Sequence, residues 1–318
     1  MRQNEYSISQ LAHVELISPK LEETVKFMHD MMGLEITERV GDSVYMRAWN
    51  DYFHHSLKVT AGEQAGLGHI GWRATSEEAL ERIVKVIEEK GLGKGWIAGD
   101  CGHGRAYQFE TPGGHPSEVF WDVEWYEPPA NMKSKWKNRA QKIVRRGVGV
   151  KRIDHVTCAT PDATADREFY ESIGFRYHEG IFSSIEDREI AAWLAVSNLS
   201  HEIAFLNPGI GELARGGIHH LAFAVDSREE VLLATDTLLD YGYKLEGGPT
   251  RHALAEGFYL YVREPGGNLI ELYALSHLIF APDWGPMKWK INENPNAAWD
   301  EFNIMIPLDD KKEEVATK

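Results

Sequence analysis

The sequence predicts an α+β protein with mixed sheets, in which one strand-and-helix unit is written twice. Two observations carry this: a set of ordered internal matches, and alternation between strand-like and helix-like apolar spacing. The segment LAHVELISPKLEETVKFMHDMMGL (11–34) matches RIDHVTCATPDATADREFYESIGF (152–175). Downstream, LGHIGWRATSEEALERIVKVIEEKGL (67–92) matches IHHLAFAVDSREEVLLATDTLLDYGY (218–243), and YQFETPGGHPSEVFW (107–121) matches YVREPGGNLIELYA (261–274). Equivalent residues lie 142, 151 and 153 residues apart, a slow drift expected of a duplication with loop insertions.

The elements follow in order. HVELI and HVTCAT read as strands, and Leu21, Val25, Met28 and Met32 recur at the spacing of one helix face. Leu80, Ile83, Val84 and Ile87 form a second such face, with Thr75 or Ser76 as N-cap and Gly91 as the stop. Pro112-Gly113-Gly114 and Pro265-Gly266-Gly267 are tight turns between two strands. Each half therefore holds two strand–helix–strand portions, the last strand following a glycine-rich hairpin. At about 150 residues per domain, 318 residues suggest two domains. The division reads 1–131, a basic linker 132–152, 153–281, and a tail 282–318 that packs on the second domain and frays at its end.

Composition narrows the class. With 43% hydrophobic and 26% charged residues the chain has material for packed cores, which excludes a wholly disordered or collagen-like protein. Cys101 and Cys158 cannot build a disulfide framework, so a reducing, cytoplasmic setting is expected. The net charge of −15 argues against nucleic acid and anionic lipid as partners. No secretory leader pattern opens the sequence, and no apolar run approaches the roughly 18 residues of a membrane span. The segment 132–152 carries nine basic residues and no acid. A linker helix pairing with acidic surface is the expectation there, ahead of a nucleic-acid patch.

Three polar residues sit inside apolar strand-like stretches of the second half: His155 in IDHVTC, His220 in IHHLAF and Glu271 in NLIELYA. Period-two alternation puts His220 with Ile218 and Ala222, and Glu271 with Leu269 and Tyr273. A buried glutamate is costly unless paired or bound to a cation. Two imidazoles and a carboxylate on converging strands form the facial set that suits non-haem Fe(II) or Mn(II) and leaves open positions. Three ordinary half-buried polar residues would give the same spacing.

The double module, with DHVTC, HHLAF and GGPTRHALAEGFYLYVREPGGNLIELY, resembles the type I extradiol ring-cleavage dioxygenases, catechol 2,3-dioxygenase-like members of the vicinal oxygen chelate superfamily. The resemblance spans roughly residues 10–290. It implies two tandem domains of the glyoxalase/bleomycin-resistance-like type, each of paired βαβββ modules, with an N-terminal scaffold and a C-terminal catalytic domain. It implies Fe(II), with Mn(II) as the other candidate, held by His155, His220 and Glu271. His201 in SHEIAF then matches the family's acid–base histidine, His252 in TRHAL the histidine that hydrogen-bonds the catecholate, and Tyr261 in FYLYV the pocket tyrosine. Taken alone, His201 reads as a satisfied strand histidine, His252 as a loop histidine and Tyr261 as core. The implied reaction is cleavage of a catechol by O2 beside the diol, giving a 2-hydroxymuconic semialdehyde-type product in aromatic catabolism.

The first half retains His13, His69, Glu118 and His55 at the positions of His155, His220, Glu271 and His201, but has Gln108 for Tyr261 and Gly99 for His252. It is read as a scaffold with a closed pocket, a structural metal being the alternative. The stretch LEGGPT before His252 lacks a cation, which favours an uncharged catechol. A metal-dependent lyase or isomerase of the glyoxalase type is the rival activity; it usually requires a further protein ligand and no oxygen-handling histidine. The basic linker and tryptophan-rich tail, with the family's habit, suggest a homotetramer.

Overall fold

The computed structural model describes residues 7–143, 145–207, 216–281, 283–296 and 298–299. In the first half, β1 (Ile8–Ser18) leads through α1 (Leu21–Lys26) to the strands β2 (Glu35–Val40), β3 (Ser43–Arg47) and β4 (Leu57–Ala61). The pattern repeats from β5 (Gly66–Ala74) through α2 (Glu77–Glu89) to β6 (Gly93–Ile97), β7 (Ala106–Glu110) and β8 (Pro116–Phe120). The two βαβββ modules share one eight-stranded sheet, ordered β2-β3-β4-β1-β5-β8-β7-β6. Their first strands, β1 and β5, pair antiparallel at its centre, and each first strand pairs parallel with its module's last.

The second half repeats the plan: β9 (Arg152–Ala159), α3 (Ala163–Ser172), β10 (Arg176–Phe182), β11 (Glu189–Ala195), β12 (Ile203–Leu206), then β13 (Gly217–Ala224), α4 (Arg228–Asp240), β14 (Leu245–Arg251), β15 (Phe258–Arg263) and β16 (Leu269–Ala274). Its sheet runs β14-β15-β16-β13-β9-β12-β11-β10 and gains a ninth strand at the edge, β17 (Met287–Lys290), parallel to β10. This tail segment pairs with the edge of the second sheet; the last ten residues lie outside the described residues.

Helix starts are set by side-chain caps. Ser76 Oγ accepts the Ala79 N–H at 3.1 Å, Asp162 Oδ1 the Ala165 N–H at 3.0 Å, and Ser227 Oγ the Glu230 N–H at 3.3 Å. Each such cap contributes about 1 kcal/mol. The first helical stretch departs from the regular helix its spacing predicts. After Lys26 it widens into a π turn over Phe27–Met31, the Met32 N–H reaching the Phe27 carbonyl five residues back at 3.1 Å. Val25, Met28 and Met32 remain buried, so the apolar face survives the change of pitch.

The glycine-rich turns do more than reverse the chain, because each docks on the other half. The Gly113 N–H donates to Asp166 Oδ1 in α3 at 2.9 Å, while Glu264, beside the second turn, accepts the Thr24 hydroxyl of α1 at 2.5 Å. A Cβ on Gly113 would stand 2.3 Å from Asp166 Oδ2, and one on Gly266 would stand 2.2 Å from Ser18 Oγ. Only glycine admits this approach.

The linker corrects an expectation, since its described residues form turns and bends and no helix. Its cations do meet acidic partners, Arg146 with Glu35 at 3.0 Å and Lys151 with Asp226. Arg146 also donates to the His29 and Leu34 carbonyls, which ties the segment to the backbone of the first half. Among the described residues no helix is long and apolar enough to cross a membrane.

Candidate metal centre and active site

β9, β13 and β16 are consecutive neighbours in the second sheet, and they place His155, His220 and Glu271 side by side. The Nε2 atoms of His155 and His220 are 3.2 Å apart, and Glu271 Oε2 lies 2.9 Å from the first and 3.2 Å from the second. All three residues are buried. Neither Glu271 oxygen accepts a hydrogen bond of acceptable geometry. A buried carboxylate with both oxygens unsatisfied is expensive. Two ring nitrogens converge on it, so the donor set fits a divalent cation better than a hydrogen-bonded cluster.

The surrounding groups orient these donors. Asp154 Oδ1 lies 2.9 Å from His155 Nδ1 and accepts its proton, which turns the Nε2 lone pair inward. His219 Nδ1 stands 2.7 Å from His220 Nδ1, so the adjacent histidine supports the cluster from behind. Burial disfavours charge on His155, yet Asp154 and Glu271 together raise it to about 9. Burial likewise opposes the charge of Glu271, but His220, His155 and His252 hold it well below the carboxylate range. In metal-free protein the cluster thus carries a proton that a cation would displace.

The other three sequence-predicted residues converge on the same place. His201, just before β12, lies with its ring 4.1 Å from that of His155, and its Nδ1 is 3.0 Å from Ser200 Oγ. Burial, then His155 beside it, pushes His201 well below its usual value, so its imidazole is neutral near pH 7. Tyr261 on β15 is in register with Glu271 and sits 5.1 Å, ring to ring, from His220. His252 donates Nδ1–H to the Asn296 carbonyl at 2.7 Å and turns Nε2 toward Glu271 Oε1 at 3.7 Å. Tyr259, which period-two reasoning puts on the face of Tyr261, stacks flat on His252 at 3.7 Å. A cavity of about 280 Å³ lies among these groups, closed further by Thr157, Trp193, Leu254 and Asn296.

The first half brings its own trio together in the same way. His13 and His69 Nε2 are 2.8 Å apart, and Glu118 Oε1 is 3.4 Å from the first and 3.5 Å from the second. One expectation is corrected here. Alignment gave Gly99 in place of His252, but His103, four residues further on, brings its Nε2 to 3.1 Å from Glu118 Oε1. The loop after β6 differs in length from its counterpart, so a fixed offset misses it.

Residues 10–119 and 152–272 match the family model of the Glyoxalase/Bleomycin resistance protein/Dioxygenase superfamily, each half once. The chain belongs to this superfamily. The metapyrocatechase of Geobacillus stearothermophilus is 44% identical over 292 residues, 91% of this chain and 88% of that one. The manganese-dependent 2,3-dihydroxybiphenyl 1,2-dioxygenase of Geobacillus genomosp. 3 is 35% identical over 315 residues, covering 96% and 98%. Among solved structures, the 2,3-dioxygenase LapB of Pseudomonas sp. KL28 superposes with a TM-score of 0.82 at 25% identity, covering 90% of this chain and 99% of that one.

In this member of the superfamily, several residues in or behind the cavity wall escape sequence reasoning. Asn296 and Trp193 carry no motif, and Asp154 is a single acid in an apolar strand. The tail supplies Asn296 and is anchored nearby: Trp289 Nε1–H donates to Glu179 Oε2 at 2.8 Å, while Glu179 Oε1 accepts the Ala255 N–H at 2.9 Å. Ala255, with φ at +53°, is held in a left-handed conformation where it lines the cavity. The tryptophan–proline content of the tail hinted that it packs, but not that it completes a site.

Proposed function

We propose that the second half is a dioxygenase centre that opens a catechol ring on the extradiol side, with His155, His220 and Glu271 holding Fe(II) or, as in the manganese-dependent relative, Mn(II). The observation that carries this is the unsatisfied Glu271 carboxylate between two inward-turned imidazoles at the wall of a 280 Å³ cavity. Its lining of aromatic and aliphatic side chains with a few convergent polar groups suits an aromatic diol. When bound, the ion supplies adjacent open positions for the two diol oxygens and O2 and a route for electrons between them.

The chain's own residues do the rest. His252 and Tyr261 line the cavity and hold the ionised diol oxygen by hydrogen bonds that strengthen as its charge develops. His201, neutral and fixed through Nδ1 by Ser200, takes a proton at Nε2 and returns it as the O–O bond breaks. Catechol and O2 give 2-hydroxymuconic semialdehyde with no other reactant. Glu271 is the sole carboxylate and no lysine or arginine is present among the described cavity residues. The first point disfavours a glyoxalase-type lyase, which usually requires a second carboxylate ligand. The second supports an uncharged catechol or alkylcatechol over a carboxylated one. Exposed Leu232, Leu233 and Leu239 on α4, with Tyr241 after it, support self-association, and light scattering at the mass of four chains tests the proposed tetramer.

The decisive experiment is anaerobic purification, metal analysis, then addition of catechol and air. A yellow ring-fission product that disappears in His155→Ala and His220→Ala supports the assignment. No product from any catechol by fully metallated protein overturns it.

A further inference from the structure

The first half keeps a cluster for which the proposed reaction has no use. His13, His69 and Glu118 offer one donor atom each, all within 4.8 Å of one another, and Glu118 Oε1 is buried without a hydrogen bond. The orientation of the rings sharpens the point. His69 gives Nδ1–H to Glu15 Oε2 at 2.7 Å, and His103 gives Nδ1–H to the Gly104 carbonyl at 2.9 Å. With Nδ1 engaged in this way, each ring turns its Nε2 inward. Both Nε2 atoms face one carboxylate oxygen, at 3.5 Å for His69 and 3.1 Å for His103. The nearby His13 Nε2 is 3.4 Å from the same oxygen. Three ring nitrogens thus converge on a buried carboxylate oxygen that accepts no hydrogen bond of acceptable geometry.

We propose that the N-terminal half binds a second divalent transition-metal ion through His13, His69 and Glu118, with His103 completing the set and Glu15 fixing His69, as a structural site without substrate. Three imidazoles and a carboxylate are the donors of a closed zinc-type site rather than an open facial one. The Glu15–His69 contact is the carboxylate–histidine pairing that raises ligand basicity.

The space used for substrate in the other half is filled here. The sheet positions equivalent to Thr157, Ala204 and Trp193 are Glu15, Lys58 and Tyr45. These residues join a polar chain: Lys58 lies 3.4 Å from Glu15 and 2.7 Å from Asp100, and the Tyr45 hydroxyl donates to Asp100 at 2.9 Å. The rings of His103 and Phe120 stack at 4.3 Å beside it. An ion still has a way in, because exposed Gln108 replaces buried Tyr261 and a cleft of about 560 Å³ reaches His69 and Glu118 past it.

The test is metal counting on the full chain, incubated with excess Zn²⁺ or Co²⁺ and then desalted. Two ions per wild-type chain are expected, one in Glu118→Gln, one in Glu271→Gln and none in the double variant. Glu15→Gln, which keeps every ligand, should weaken the second ion by about 10–100-fold. Circular dichroism of each variant separates loss of the ion from loss of the fold, and an anomalous-scattering peak between His13, His69 and Glu118 in crystals gives the same answer without a variant. One ion per chain, lost only in Glu271→Gln, overturns this inference and leaves the catalytic proposal standing. Two ions with no loss in Glu271→Gln would instead count against the catalytic proposal.

Discussion

Replacing Glu271 by glutamine tests the catalytic centre at its most informative atom. In metal-free protein the carboxylate shares the space between His155 and His220 with a proton, because His155 is raised to about 9. At pH 7.5 nearly every chain holds that proton, so a cation must displace about one as it binds. The apparent affinity of wild type should therefore climb roughly tenfold per pH unit between about pH 6.5 and 8.5. Calorimetric titration of metal into protein, run in two buffers of different ionisation enthalpy, reads the proton count directly. Using the Glu118→Gln background confines the signal to the second half. Glu271→Gln removes both the anionic ligand and one cause of the raised His155, so proton release should shrink and affinity fall. The fall should exceed the 10–100-fold typical of a supporting partner, which is the range expected for Asp154→Asn. The sign for stability follows from the same shift. A raised histidine stabilises the metal-free fold fully below its unfolded value of about 6.5 and ceases to do so as pH rises through about 9, a difference of at most about 3 kcal/mol. A flat affinity from pH 6.5 to 8.5, or a Glu271→Gln protein that keeps its ion within tenfold, would refute the reasoning.

The remaining predictions are direct. His201→Ala should lower kcat by about 10²–10⁴ with metal content unchanged, since a proton carrier is lost and no ligand is; steady-state rates beside metal analysis check this. Tyr261→Phe should cost roughly 10–100-fold in kcat/KM, the worth of a hydrogen bond to a charged oxygen, without loss of the ion. Glu202 is raised to about 7 by burial, against the N–H groups of Val196 and Ser197 that it accepts. Such a carboxyl binds its proton more tightly folded than unfolded, so stability falls as pH rises from about 4.5 to 7. Glu202→Gln should remove up to about 3 kcal/mol of that slope in urea melts at several pH values. Catechol should outrun a carboxylated catechol in kcat/KM, and the reverse order would show that a cation outside the described cavity residues takes part.

The duplication was legible because strand pairing copies sequence order: three matched segments became the central strands of two sheets. The period-two face holds for Glu271 with Leu269 and Tyr273 and for Ala222 beside them, but an irregularity between Ile218 and His220 turns Ile218 to the other side, against the main core. What escaped reading depended on contacts between distant segments. Asn296 reaches His252 across 44 residues, and Glu179 reaches Trp289 across 110. Neither leaves a local period or motif. His103 was missed for another reason, since loops change length while strands keep register, so a constant offset works for Glu118 and fails a few residues past β6. The linker was misread because its charges suggested helix-surface pairing, whereas Arg146 spends three of its contacts on the π turn at His29, on Leu34 after it and on Glu35 in β2.

The two halves show why donor residues alone do not make an active site. Both sheets bring two imidazoles and a glutamate to adjacent strands, so the scaffold supplies that set twice. The difference lies one row away. Thr157, Ala204 and Trp193 leave a cavity in front of the cluster, whereas Glu15, Lys58 and Tyr45 bridge the same gap with charge. Opening the first half by trimming Lys58 alone would leave Glu15 and Asp100 half-buried without their cation, so the change resists single steps. Glu15 resists replacement further, because it also holds His69. A polar chain that closes a cavity and aims a ligand at once has two reasons to persist, and both depend on the cluster behind it still meeting a cation.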